Sequence, residues 1–362
     1  MKPTARLLSL YFQKNYGAEP GSVEVSPLGR GSHGQGFRVA YTIGGIEKRL
    51  IVKTLEGGIG LGHDNPSDRA SVFIQAREAY GRLPGHVKSL DVLALDRQGR
   101  IFSIDGGREY YLVMEEAKGR DYFADLTEMA GLSSLTARDK TRIKAMASYL
   151  ARIHSKKKDS PRLYYRKLRD TIGHGECLMG VLDTYVDGGG FTNLAEMADI
   201  EKSCIDWRAK LKPLADRLSA VHGDFHPGNI LFGRGANFTL LDRSRGEYGE
   251  PADDVTALTI NYVFSSLIRH GKLAGAYDEA LRLFFDEYIS ASGDTGVLDA
   301  AAPFYAFRGV VVANPLFYPD VTAEVRGRLF GFIHGTLRAG CFDPAKVNNY
   351  ISAGMRYRKR FI

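Results

Sequence analysis

The sequence predicts an α+β fold of two lobes, with a small antiparallel-sheet N-terminal lobe over residues 1–116 and a larger, mostly helical C-terminal lobe over 117–362. Two observations predict it. Strand and turn signals crowd the first 116 residues, whereas the remainder repeats apolar residues at helical spacing. With 362 residues, 44% hydrophobic and 25% charged, the chain also has the material for a large core shared between two bodies.

In chain order, the opening segment Met1 to Gly17 reads as an amphipathic helix, because Gln13, Lys14 and Asn15 cut its apolar run short and no small-residue cleavage site follows. Next, Gly29-Arg30-Gly31-Ser32-His33-Gly34 carries a G-x-G-x-x-G spacing between two strand-like stretches. There, glycines would let backbone amides approach phosphates. A dinucleotide fold would need a helix directly after it. Instead, Phe37 to Ile43 alternates, Gly44-Gly45 makes a two-residue turn and Ile46 to Leu55 returns, so a hairpin is expected. Lys53 stands in this otherwise apolar returning strand, either as a phosphate ligand or as an exposed strand lysine. The Gly-rich segment from Glu56 to Pro66 carries no legible function. Asn65-Pro66-Ser67-Asp68 starts a helix that places Glu78 well inside it, where it could orient Lys53 or simply face solvent. A strand over Tyr110 to Met114 leads into a hinge, Glu115-Glu116-Ala117-Lys118-Gly119, whose backbone at Glu115 and Ala117 would line a pocket. Met114 faces that pocket or belongs to the core. Helical patterns then fall near 137–155, 192–218, 252–270, 275–291 and 322–338.

Several function classes are excluded early. No stretch of about 18 apolar residues occurs, so no membrane span is expected. Cys177, Cys204 and Cys341 are odd in number and lack metal-ligand spacing, which points to reduced thiols in a cytoplasmic protein. The net charge of +7 suits an anionic partner, yet no nucleic-acid motif accompanies it, and the densest cationic run, Arg356, Arg358, Lys359 and Arg360, reads as a solvated terminal helix.

The chemistry concentrates in Val221-His222-Gly223-Asp224-Phe225-His226-Pro227-Gly228-Asn229-Ile230-Leu231-Phe232. Phosphoryl transfer needs a carboxylate to orient an attacking hydroxyl and accept its proton, and an oxygen ligand to hold magnesium against the phosphates. Asp224 and Asn229 fit those roles on a Gly/Pro loop that an apolar strand anchors. A second strand, Phe238 to Leu241, would pair with Ile230 to Phe232 and return Asp242 to the loop as the main metal ligand. His222 supports the loop or takes part in the chemistry, and Asp253 reads as solvated.

At these residues the chain resembles the aminoglycoside phosphotransferase and choline kinase-like superfamily, distant relatives of the protein kinases. The resemblance rests on HGDFHPGNILF, on Leu241-Asp242 followed by Gly249 to Val255, and on Leu150 to His154 as the preceding helix. It implies a protein-kinase-like fold and an ATP- and Mg2+-dependent small-molecule kinase. Asp224 would be the catalytic base, Asn229 and Asp242 the magnesium ligands, and Asp254 a brace for the loop. By the same resemblance Gly29, Gly31, Gly34 and Lys53, with Glu78 behind it, hold nucleotide phosphates, and the hinge backbone at Glu115 and Ala117 meets the adenine. A nucleotide-binding protein without catalysis is the alternative, opposed by the intact set of Lys53, Asp224, Asn229 and Asp242. A protein kinase is a weaker one, since no Ala-Pro-Glu segment follows and Arg243-Ser244 replaces Phe-Gly. The run Asp242-Arg243-Ser244-Arg245, with Arg308, Arg326, Arg328 and Arg338 further on, points to a neutral or anionic hydroxyl acceptor, unless Arg243 and Arg245 pair with Glu247, Glu250 and Asp253.

Overall fold

The computed structural model describes residues 3–16, 21–31, 34–55, 64–80, 89–96, 98–104, 117–185, 190–241, 245 and 247–362, without the side chains of 15–16, 29–31, 34 and 78–80. Two compact units divide the chain, Met1–Met114 and Glu115–Ile362.

The first unit runs α1 (Ala5–Tyr16), β1 (Val23–Gly31), β2 (Gly34–Ile43), β3 (Ile46–Leu55), α2 (Pro66–Tyr80), β4 (Leu93–Leu95) and β5 (Ile101–Ser103). Strands β1, β2 and β3 form an antiparallel meander, and β4 pairs with β5. The β2–β3 turn needs both glycines, because Gly44 and Gly45 hold φ of 58° and 75°, the left-handed values of a tight hairpin turn. Helix α1 lays Leu8, Tyr11 and Phe12 on Val39 and Tyr41, with the Phe12 and Tyr41 rings stacked 4.2 Å apart. Along β3, Leu50 and Val52 turn toward this small core while Ile51 and Lys53 are exposed. Two faces of one strand are thus separated by its period of two.

The second unit runs β6 (Arg120–Asp121), α3 (Tyr122–Met129), α4 (Ala137–His154), α5 (Pro161–Gly173), α6 (Leu178–Leu182), α7 (Leu194–Leu211), β7 (Ser219–Ala220), β8 (Ile230–Phe232), β9 (Phe238–Leu240), β10 (Tyr248–Gly249), α8 (Pro251–His270), α9 (Gly275–Ser292), α10 (Gly296–Val312), α11 (Ala323–Leu337) and α12 (Val347–Arg358). Its sheets among the described residues are small: β6, β8 and β9 are antiparallel neighbours, and β7 pairs with β10. Helix α8 is buried over most of its length and packs on α9 and α10, while α10 packs on α11 and α11 on α12. Among the described residues no helix is long and apolar enough to cross a membrane.

The α+β class, with small antiparallel sheets and mostly helical content, agrees with the sequence. So do the pairing of β8 with β9 and the helices at α4, α7, α8, α9 and α11. Helices α3, α5, α6 and α10 carry no matching expectation. The cationic end of α12 needs a correction. Arg358 is 1% exposed, because a guanidinium can be buried only where protein acceptors replace the water it gives up, and this one has them. Its Nε lies 2.5 Å from Glu196 Oε1, and its other nitrogens donate to the carbonyls of Phe191 and Gly327. The expected strand at Tyr110 to Met114 and most of the Gly-rich segment lie outside the described residues.

Candidate active site

Strand β7 feeds a loop, residues 221–226, and a single 3-10 turn, Pro227–Asn229, leads into β8. A loop exposes backbone N–H groups that need partners when buried. Here the partner is Asp254, in the first turn of α8: its Oδ2 accepts from the N–H of His222 and its Oδ1 from that of Gly223, each at 2.7 Å. Gly223 turns with φ of 89°, a left-handed value that glycine takes without a Cβ clash. The same carboxylate lies 3.1 Å from His154 Nε2 on α4, and His154 Nδ1 lies 2.8 Å from the Tyr288 hydroxyl on α9. Burial pushes the Asp254 carboxyl up, but His154 and the N–H of His222 outweigh it and hold the group below the usual carboxylate range.

Helix α8 presents Asp254 at a fixed height because its own start is anchored. Pro251 occupies the first helical position and Glu250 caps the end, accepting from the N–H of Ala252. Arg217 bridges Glu250 and Asp294 at 2.6 Å each, and the Tyr164 hydroxyl donates to Glu250 at 2.7 Å. The capping group is therefore tied to α5 and to the end of α9.

Within the loop, Asp224 and Asn229 are brought together. Asn229 donates its Nδ2 to the backbone carbonyl of Asp224 at 3.0 Å, so its side-chain oxygen is the atom it has left for a cation. His222 Nδ1 accepts from the N–H of Asp224, and His226 Nδ1 accepts from that of Gly228. Both imidazoles thus shape the loop's backbone. Leu241, the residue before Asp242, donates its N–H to the carbonyl of Asn229 at 2.9 Å.

The Asp224 carboxylate has a partner that the local sequence does not announce. Arg308, on α10 and 5% exposed, donates from Nη1 to Asp224 Oδ1 at 2.5 Å. Its Nη2 donates to Asp253 Oδ1 at 2.6 Å and to the carbonyl of Gly223 at 3.0 Å. Asp253 is therefore not solvated, because the cation next to it is buried and requires a counter-charge. Burial pushes the Asp224 carboxyl up, while the charges of Arg308, Arg245 and His226 bring it below the usual range on balance. Arg308 stands in a run, Ala300 to Val310, of buried and otherwise uncharged residues. A lone cation in such a run signals a paired partner elsewhere.

Arg245 lies against the Phe307 ring at 5.1 Å, with its nitrogens 4.0 Å from Cys177 Sγ and 3.4 Å from the carbonyl of Glu176. Lys167 donates to the carbonyl of Arg245, and burial pushes the Lys167 ammonium down. The alternative pairings of Arg245 with Asp253 and Glu250 give way to Arg308 and Arg217, which hold those carboxylates. Arg326 donates to backbone carbonyls at the end of α10 and beyond it, Arg328 to Gly271 and Glu324, and Arg338 lies over Tyr357. These three cations serve helix ends and the C-terminal helix, not the loop.

The remaining expected site residues belong to the first unit or to its border. Gly29 and Gly31 end β1 and Gly34 begins β2, with Gly31 paired to Gly34, so the glycine motif closes a hairpin. Lys53 faces Gly36 across β2 and β3. Glu78 belongs to α2, its side chain outside the described residues, and Ala117 is half-buried just before β6. Glu115, Asp242, Arg243 and Met114 lie outside the described residues.

A sequence profile described as "Phosphotransferase enzyme family" matches residues 27–288. That stretch contains the glycine hairpin, Lys53 and the loop with its brace, and it stops within α9, short of Arg308. No curated protein matches the sequence closely enough to count as a relative. Loosely similar solved structures include a choline kinase from Cryptosporidium parvum, at 14% identity over 93% of this chain and 89% of that one with a TM-score of 0.33. An amicoumacin kinase in complex with AMP-PNP and Ca2+ is 16% identical over 89% and 91% of the two chains with a TM-score of 0.42. An ethanolamine kinase from Plasmodium vivax is 11% identical over 96% and 86% with a TM-score of 0.35. Overlaps this loose do not bear on the site.

Proposed function

Since this chain belongs to the phosphotransferase enzyme family and is a small-molecule kinase, we propose that it transfers the terminal phosphoryl group of ATP to an alcohol hydroxyl, with Asp224 as the base. The observation that carries this reading is the fixed, ionised carboxylate of Asp224 in a loop strapped by Asp254, five residues before an amide with one oxygen left for a cation. Asp224 would hold the acceptor O–H by one carboxylate oxygen and take its proton as that oxygen attacks phosphorus. The donor set of an amide oxygen and a carboxylate suits Mg2+, which when bound by Asn229 and Asp242 would neutralise charge on the phosphates. Gly29, Gly31, Gly34 and Lys53, supported by Glu78, would hold the phosphates, and the backbone at Glu115 and Ala117 the adenine.

The acceptor is read as neutral or anionic. Asp224 and Asp253, the acid beside the brace, already share Arg308, and Arg245 adds a cation that has no carboxylate partner among the described residues. A polycationic amine would meet acids that are already neutralised. Cys177, Cys204 and Cys341 are unpaired, which suits the cytoplasm, where ATP is made.

The first prediction tests the base. Asp224→Asn should lower acceptor phosphorylation by a factor on the order of 100 or more, while calorimetry finds ATP affinity nearly unchanged. The assay pairs MgATP with a panel of sugars, acidic alcohols, amino alcohols and aminoglycosides. Near-normal turnover of the variant overturns the assignment, and preferential use of the cations overturns the acceptor class.

A further inference from the structure

Resting on the reading of Asp224 as the group that meets the acceptor, we propose that Arg308 is the positioning residue of the reaction. It fixes the Asp224 carboxylate by Oδ1, and Asp253 and the carbonyl of Gly223 hold the guanidinium in turn.

The geometry supports this assignment at each contact. A carboxylate can rotate about its Cβ–Cγ bond, and which oxygen it offers is then undefined. Arg308 Nη1 takes Oδ1 at 2.5 Å, whereas Oδ2 lies 3.8 Å from His226 Nε2, beyond hydrogen-bond reach. One oxygen is pinned and the other is offered. The guanidinium is planar, so its donors leave at fixed angles, and the second nitrogen is already engaged by Asp253 and Gly223. A change in the angle of Asp224 would have to break that second set of bonds as well.

Packing holds the guanidinium's own helix. A Cβ on Gly309 would lie 2.7 Å from Ile333 Cγ1, so α10 touches α11 immediately beside Arg308. The Phe307 ring contacts both guanidinium groups, Arg308 at 4.6 Å and Arg245 at 5.1 Å. Asp253 comes from α8, whose start is anchored through Glu250. Loop geometry is thus referred to two packed helices and does not rest on the loop alone.

Stability does not explain the arrangement. A buried ion group is often no better than apolar residues of the same volume, and a buried donor without a partner costs free energy. Arg308 Nε has no hydrogen-bond partner among the described residues. A cation is nonetheless present in an apolar helix, with both Nη atoms directed at the loop and its brace.

The test uses the full-length chain and MgATP alone, with water standing in for the acceptor. Arg308→Met should lower the kcat of hydrolysis up to about 100-fold, the scale of a small misplacement of a reacting group, while KM for ATP stays within about 2-fold. Arg308→Lys keeps the charge without the fork and should recover part of the loss, and Asp253→Asn should lose less than Arg308→Met. Arg358→Met removes another buried cation, far along the chain, and should lower the thermal midpoint without changing kcat. Unchanged kcat in Arg308→Met, or a loss no greater than that of an equally destabilised Arg358→Met, overturns the proposal. Hydrolysis indifferent to Asp224→Asn instead overturns the reading of Asp224. A crystal structure of Arg308→Met decides the geometry by itself: a rotated or divided Asp224 carboxylate supports positioning, and an unmoved one overturns it.

Discussion

Asp254 is fully buried, and its two oxygens satisfy two backbone N–H groups that water cannot reach. Asp254→Asn keeps the shape but turns an amide N–H2 toward one of those donors. A loss of about 2–3 kcal/mol at neutral pH is expected from the broken charged hydrogen bond, measurable by denaturant unfolding. The sign of the pH effect follows from the depressed acidity. The ionised group stabilises the fold above its ordinary value of 3.8, and that stabilisation is lost as pH falls through the lower folded value. The gap between native chain and variant should therefore narrow as the pH drops below 3.8; a constant gap would rule out the carboxylate as its source. His222 to Asn229 was legible because its parts are adjacent in the chain. Arg308 was not, since 84 residues separate it from Asp224, and only its isolation among apolar neighbours hinted at a partner. Asp253 was misjudged for the same reason.

Helices α11 and α12 meet backbone to backbone. Gly327, Gly331 and Gly335 recur every four residues and so share one face of α11. A Cβ on Gly335 would come within 2.1 Å of the Tyr350 carbonyl, and one on Gly354 within 1.7 Å of the Gly331 carbonyl. Backbone cannot swing aside as a side chain can. Gly354→Ala should therefore cost about 3 kcal/mol or more, read as a fall in thermal midpoint, and a midpoint unchanged within error would show that the helices can part freely. Element by element, the amphipathic helices α4 and α9 were readable, as was the hairpin of β2 and β3; α8, though buried over most of its length, was readable too, with its one proline at the first helical position. Helix α10 was not: it is buried all round, so it shows no 3.6-residue period, and it contains Pro303 and ends in three valines. Helix α5 carries Tyr164, Leu168 and Ile172 at spacings of four, a signal present but outnumbered by its cations.

The two units have separate cores. One joins residues from Tyr122 to Ile351, and the other joins Leu8, Tyr11, Phe12, Val39 and Tyr41 with flanking strands. A unit with its own core and boundary can fold by itself. Residues 117–362 expressed alone should retain helical circular dichroism and melt in one cooperative transition, yet lose the ATP binding assigned to Lys53 and the glycine hairpin. A fragment that shows no cooperative transition would mean that this core needs the first unit to form.

The bridge between Asp253 and Arg308 also constrains descent. Loss of Arg308 leaves Asp253 without its counter-charge, and loss of Asp253 leaves the guanidinium with Asp224 alone, so a lineage that changes one is pressed to change the other soon after. Positions 253 and 308 should then vary as a pair among relatives, although 55 residues lie between them and only the first falls within the stretch shared with the family. A cousin with an apolar residue at 308 and an intact acid at 253 would carry an unbalanced charge beside its active loop. Such a sequence should be rare, or should reveal a new cation nearby that has inherited the task.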